Sequence, residues 1–270
     1  MQYEPQIRLA CFVGVFALMA LWELAAPRRA LGAAKGARWF ANLGLVAIDT
    51  LVVRLVFPIA AVGMAELAVG RGWGLFNVFH APYWIAFAAA FIALDFIIYA
   101  QHVLFHYVPF LWRLHRVHHA DVDLDVTSGL RFHPGEIALS MCIKLGAVAL
   151  LGPPTAAVVA FEVALNATSM FNHGNVRIPA GIDRALRLAL VTPDMHRVHH
   201  SVIQTETNSN FGFNLPWWDR ICGTYTAQPR EGHTGMTIGL AQFRDRASQR
   251  LSALLLLPLN KAENQTTSKD

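Results

Sequence analysis

Charge is scarce in this chain. Asp, Glu, Lys and Arg make up 15% of its 270 residues, against 54% hydrophobic ones. Ordinary soluble domains carry about a quarter charged residues, so long stretches must lie out of water and an ordinary soluble globule is excluded. Cysteine is nearly missing. Cys11, Cys142 and Cys222 lie far apart and form no C-x-x-C, which argues against a disulfide framework, a zinc ribbon or an iron–sulfur site. No G-x-G-x-x-G or haem motif occurs, so the chain carries no nucleotide or haem electron carrier of its own. The net charge is only +4, and no basic stripe alternates with aromatic residues, so nothing supports a nucleic-acid partner. The cations flank apolar runs instead, as cytoplasmic residues beside anionic lipid heads do.

What the chain has is apolar length. Segments at Leu9–Ala26, Leu43–Gly70 and Tyr83–Phe105 are each long enough to cross the roughly 30 Å hydrocarbon core. The first has a weak basic flank and a long apolar run, and is expected to be a retained anchor rather than a signal peptide. Two shorter segments, Ile137–Leu151 and Thr155–Phe171, are parted by Gly152-Pro153-Pro154, a strong breaker that predicts a helical hairpin. The expected fold is therefore all-α: an integral membrane bundle of about four spans, the last two a short hairpin, under a histidine-rich helical cap. Residues 1–82 form N-terminal membrane anchor helices, 83–225 the catalytic domain and 226–270 a C-terminal extension, with a disordered tail from Lys261 onward. Arg28, Arg29, Lys35 and Arg38 lie between the first two spans. The positive-inside rule puts that loop in the cytoplasm, and with it both polar regions, His106–Glu136 and Asn172–Asp270. The Arg- and Ala-rich composition, without an organellar signal, points to a bacterial inner membrane.

Those polar regions hold most of the twelve histidines. His102 and His106 form H-x3-H at the cytoplasmic end of the third span. His115, His118 and His119 form H-x2-H-H, and His196, His199 and His200 repeat it. Positions i, i+3 and i+4 share a helix face, so each cluster can aim its imidazoles at one point. Imidazole suits Zn, Cu, Fe and Ni, and eight clustered ligands suit two ions better than one. His173, at the end of the hairpin, is a ninth candidate ligand; it lies on a polar stripe with Glu162, Asn166 and Ser169. Asp95 shares a helix face with Tyr99, His102 and His106 and is a candidate to hold an imidazole N–H. Asp194, Asp121 and His133 are further candidates for a supporting role. His80 and His233 are assigned none, and Asp49 and Arg54 are expected to pair or to reach the interface. Arg113, Arg116, Arg184, Arg187 and Arg197 could receive an acidic protein. Histidines do not report metal identity: a zinc hydrolase and a metal transporter stand beside an oxygenase. The missing H-E-x-x-H disfavours the first, and the gathering of histidines at one face disfavours the second.

At these residues the chain resembles the fatty acid hydroxylase superfamily, also called the sterol desaturase family. The likeness runs from about Asp95 to Tyr225 and closes on Trp218-Asp219-Arg220-Ile221-Cys222-Gly223-Thr224-Tyr225, similar to the family's W-D-x-x-F-G-T-Y with Cys222 in place of Phe. The resemblance implies a cytosolic cap with two iron ions held mainly by histidines. It also implies O2 as co-substrate, an external electron donor that is cytochrome b5-like or ferredoxin-like, and a lipid substrate that is hydroxylated or desaturated. The third region has one histidine, His173, where some members have two. Side chains alone cannot oxidise an unactivated C–H bond, whereas a metal with O2 can.

Overall fold

A computed structural model describes residues 3–260; the expected tail from Lys261 onward lies outside the described residues. Among the described residues every regular element is helical, apart from isolated bridges at Pro27–Val176 and Ser201–Ile238. Long helices α1 (Glu4–Ala25), α2 (Lys35–Val56), α3 (Ala61–Arg71), the single turn α4 (Leu75–Val78) and α5 (Tyr83–Tyr107) precede the first histidine-rich segment. Then come α6 (Pro109–His119) and the hairpin α7 (Pro134–Leu151) and α8 (Thr155–Asn172). The rest of the cap is built from short helices: α9 (Ala180–Leu186), α10 (Pro193–His199), α11 (Gln204–Thr207), α12 (Trp217–Ile221), α13 (Gly232–Gly235) and α14 (Leu251–Leu256).

Four stretches are long and apolar enough to cross a membrane: Glu4–Ala25, Lys35–Val78, Tyr83–Tyr107 and Pro134–Leu151. The protein is integral to a membrane, and the outward faces of these helices carry exposed Leu18, Leu21, Leu55, Trp84 and Leu150, as a lipid-facing surface requires. The second stretch is not one helix. Pro58, which has no backbone N–H to donate, ends α2 at Val56, and α3 resumes at Ala61. Together α2 and α3 run alongside α7. Ala61 and Ala65 share a core with Ala147 and Val148, and Gly74 meets Gly152 so closely that a Cβ on Gly74 would lie 2.2 Å from the Gly152 nitrogen. Gly152 itself takes a left-handed conformation, φ 62°, which closes α7 before the two prolines.

The cap is fastened to the loop between α1 and α2. Arg38, fully buried, donates to Asp121 Oδ1 at 2.8 Å and Asp125 Oδ2 at 2.7 Å. Arg28 donates to Asp194 at 2.9 Å, and Arg29 to the Met236 carbonyl at 2.8 Å. The basic loop and the histidine-rich cap therefore lie on one side of the bundle, whichever compartment that side faces.

Candidate metal centre

The histidines arrive from four places. H-x3-H occupies the last two turns of α5, and the first H-x2-H-H ends α6, which Pro109 starts after the bend at Val108. His173 caps the C-terminus of α8. The second H-x2-H-H ends α10, whose start is fixed by the Thr192 hydroxyl accepting from the Met195 N–H at 3.3 Å. Gly129 allows the close approach that places His173. Its Cα packs on the backbone of α8, and a Cβ there would lie 2.2 Å from the Ser169 carbonyl oxygen. That oxygen accepts from His173 Nδ1 at 2.7 Å.

These elements bring nine imidazoles into two groups: His102, His106, His115, His119 and His199 in one, and His118, His173, His196 and His200 in the other. In each group the candidate ligand atoms lie within 4.8 Å of one another. All the sequence-predicted histidines of the three motifs, and His173, are thus brought together. Each group draws on both halves of the chain.

Nδ1 contacts orient six rings. His102 Nδ1 donates to the Phe211 carbonyl at 2.7 Å, His118 Nδ1 to the Arg131 carbonyl at 3.1 Å, and His199 Nδ1 to the Ser209 carbonyl at 2.7 Å. His173 donates to Ser169 as above, His115 Nδ1 to Glu136 Oε1 at 2.7 Å, and His106 Nδ1 to Asn208 Oδ1 at 3.2 Å. A backbone carbonyl only accepts, so in His102, His118, His173 and His199 Nδ1 carries the proton and Nε2 presents a lone pair; His115 and His106 take the same form when Glu136 is ionised and Asn208 presents its Oδ1. Yet the Nε2 atoms of His102 and His115 face each other at 3.1 Å, and those of His118 and His173 at 3.0 Å. His173 Nε2 also lies 3.1 Å from His196 Nε2 and 3.2 Å from His200 Nε2. Lone pairs so opposed repel one another unless a cation lies among them. The donor set fits metal ions, and all nine residues could hold them.

Electrostatics agree. Burial, reinforced by the neighbouring imidazoles, holds His118, His119, His196, His199 and His200 well below the ordinary histidine range. It pushes His115 and His173 down to about 3. At neutral pH these rings are uncharged, the state in which imidazole binds a metal.

The supporting residues differ from expectation. Asp95 contacts no histidine: it accepts from Asn214 Nδ2 at 2.8 Å, the Leu215 N–H at 3.2 Å and Trp218 Nε1 at 2.8 Å. Seven residues place it about 10 Å along the helix axis from His102, beyond a carboxylate's reach, and it anchors the loop that carries Phe211 instead. Asp194, near the start of α10, turns to Arg28 and Arg197. Asp121 serves Arg38 and Ser128. His133 caps α7, its Nδ1 accepting from Gly135 N–H at 3.0 Å. Asp49 and Arg54 form no pair with each other. The expected docking arginines are mostly engaged within the cap: Arg113 donates to Pro258 O, Arg116 to Leu257 O, Arg187 to Ala227 O and Arg197 to Gly174 O. His233, given no role from the sequence, is buried 3.6 Å from Asp194.

Sequence reasoning missed Glu136, whose only signal is a lone carboxylate at the mouth of an apolar helix. The carbonyls of Phe211, Arg131, Ser169 and Ser209 leave no signal in sequence at all. Asp219, of the Trp218-Asp219 pair, accepts from the Phe211 and Gly212 N–H groups at 2.8 and 2.9 Å and so sets the carbonyl that His102 uses.

A cavity of about 550 Å³ opens from the five-histidine group into the bundle, lined by His102, His115, Phe105, Phe213, Ile98 and Leu165 among others.

A family model described as fatty acid hydroxylase matches residues 87–224. Ornithine lipid hydroxylase OlsE of Rhizobium tropici is 30% identical over 189 residues, covering 67% of this chain and 54% of the relative. Alkylglycerol monooxygenase of Homo sapiens is 31% identical over 175 residues, covering 63% and 38% respectively. Very-long-chain aldehyde decarbonylase GL1-1 of Oryza sativa subsp. japonica is 29% identical over 166 residues, covering 56% and 26%. The chain spans about half the length, or less, of these curated relatives. No solved structure matches it.

Proposed function

The chain belongs to the fatty acid hydroxylase family, and on that premise we propose that it is a membrane-bound di-iron oxygenase that hydroxylates or desaturates C–H bonds of a lipid. The observation that carries this reading is the opposition of protonless Nε2 atoms, His102 to His115 and His118 to His173, at 3.0–3.1 Å. The five-histidine group would hold one iron and the four-histidine group the other, within a catalytic domain of residues 83–225. Named relatives that hydroxylate or mono-oxygenate lipids support the reaction class.

When bound, iron supplies what side chains lack, the power to oxidise a C–H bond with O2. For hydroxylation the balance is RH, O2, two electrons and two protons in, ROH and water out. The electrons would come from a cytochrome b5-like or ferredoxin-like protein. The chain itself holds six of the nine imidazoles through Nδ1, so that Nε2 is both basic and aimed. Glu136 holds His115 at the floor of the cavity. Phe105, Phe213, Ile98 and Leu165 line the approach with apolar surface, which keeps water from the site and suits a lipid entering sideways from the bilayer. Arg28, Arg29, Lys35 and Arg38 support a cytoplasmic cap.

Mössbauer spectroscopy on protein expressed with iron-57, before and after reduction and exposure to O2, tests the reading. Two coupled irons per chain that respond to O2 are expected. Stoichiometric zinc after iron-replete expression, with no iron that responds to O2, would replace the oxygenase by a hydrolase.

A further inference from the structure

The cavity beside the five-histidine group is not the plain apolar slot that a mid-chain methylene would need. Next to His102 and His115 its wall carries Asp49, Gln101 and Glu136. Each leaves one oxygen buried without a hydrogen-bond partner: Asp49 Oδ1, Gln101 Oε1 and Glu136 Oε2. Asp49 is 8% exposed and Glu136 3%. Their other neighbours do not supply the missing donors. Gln101 gives its amide N–H to Ser140, and Glu136 uses its second oxygen for His115. Lys144 and Arg8, farther along the same wall, both bond Glu162. Arg54 is exposed and makes no ion pair among the described residues.

Three acceptors held out of water with nothing to accept are costly, and two of them are carboxyl groups. Their complement is a group rich in donors and positive in charge. We propose that this cavity binds the ammonium group of an amine-bearing lipid head between Asp49 and Glu136. The carbon that reacts then lies in or beside that polar head rather than in the middle of an acyl chain. Position follows from the same contacts: Glu136 holds His115, and His115 and His102 line the cavity, so a cation seated there lies against the five-histidine group. The assignment of the reacting carbon rests on the oxygenase reading; the preference for an amine does not.

Short probes separate the two. Octylamine, octanol and octanoate would be titrated at pH 7.5 into the metal-loaded full chain in a non-ionic detergent, with affinity read by calorimetry and by thermal shift. Octylamine is expected to bind at least tenfold tighter than octanol, with octanoate weakest. Asp49→Asn is expected to erase that tenfold preference while the metal content, measured by elemental analysis, stays unchanged. Equal affinity for octanol, tighter binding of octanoate, or an Asp49→Asn protein that keeps the preference would each overturn the proposal. The wild-type comparison alone decides the matter if the variant does not fold. An intact amine preference in a protein that holds zinc would defeat the oxygenase reading and leave this one standing.

Discussion

Replacing Glu136 by Leu removes the acceptor for His115 Nδ1 while keeping roughly the volume of the side chain. Both groups are buried and 2.7 Å apart, so the lost contact is a charge-assisted hydrogen bond of about 1.5–3 kcal/mol. At about 1.4 kcal/mol per factor of ten, metal affinity should fall about 10- to 150-fold, in line with the 10–100-fold usual for partners of metal-bound histidines. The loss should be local. His115 belongs to the five-histidine group, while His118 and His173 of the other group keep their own anchors. A competition titration with a graded chelator therefore has a distinctive expected form: one ion per chain is released early and the other at the wild-type chelator concentration. Glu136→Gln, which keeps an acceptor, should fall between the two. Unchanged release, or both ions leaving together, would refute the argument that this one carboxylate orients this one ring.

Gly129→Ala forces a Cβ to within 2.2 Å of the Ser169 carbonyl; it should lower the thermal midpoint and release the metal of the four-histidine group first, read by elemental analysis after heating. Arg38→Met leaves Asp121 and Asp125 buried without their partner, and about 3–5 kcal/mol of stability should go with it, seen as a large loss of folded yield in detergent. Asp95→Asn should loosen the loop around Trp218 without changing metal content, which separates anchoring the loop from holding a histidine. Acid should destabilise the chelated protein steeply. The folded-state values of His115, His118, His119, His173, His196, His199 and His200 are depressed, so the unfolded chain takes up protons first as pH falls below about 6.5. Their contribution is present above that value and lost below it, about 1.4 kcal/mol each between pH 7.5 and 5.5, or about 10 kcal/mol for the seven together. Thermal midpoints by circular dichroism at three pH values measure it; a flat profile would contradict the burial of these rings.

The convergence of the histidines was legible because their order is local. His115, His118 and His119 must share a face on any helix, and so must His196, His199 and His200; no tertiary knowledge is needed to see them converge. Apolar length likewise fixed the spans, and Gly152-Pro153-Pro154 the hairpin, whose helices start and stop within a few residues of expectation. The break at Pro58 was also written in the chain, but the apolar run from Leu43 to Gly70 masked it. Supporting contacts failed for a different reason. The Asp95–Tyr99–His102–His106 stripe is a real face, yet sharing a face says nothing about reach along the axis, and Trp218, more than a hundred residues later in the chain, takes the carboxylate. Glu136 finds His115 only because α7 folds back under α6. Backbone carbonyls such as those of Phe211 and Arg131 are present at every position, so nothing in their own residue type marks them.

The composition of the two groups carries a consequence for how the chain matures. Neither group can be completed by the α5–α6 segment alone: His199 must join His102, His106, His115 and His119, and His118 must join His173, His196 and His200. Each ion bound there would act as a cross-link closing a loop of some eighty residues, from His119 to His199 and from His118 to His196, with the entropic effect that a disulfide has elsewhere. A chain stalled during synthesis before residue 200 can insert its helices but cannot lock its cap. On the di-iron reading, iron supply would then set the yield of assembled protein as well as its turnover, and iron-starved cells should accumulate a membrane-inserted form whose cap is open to protease.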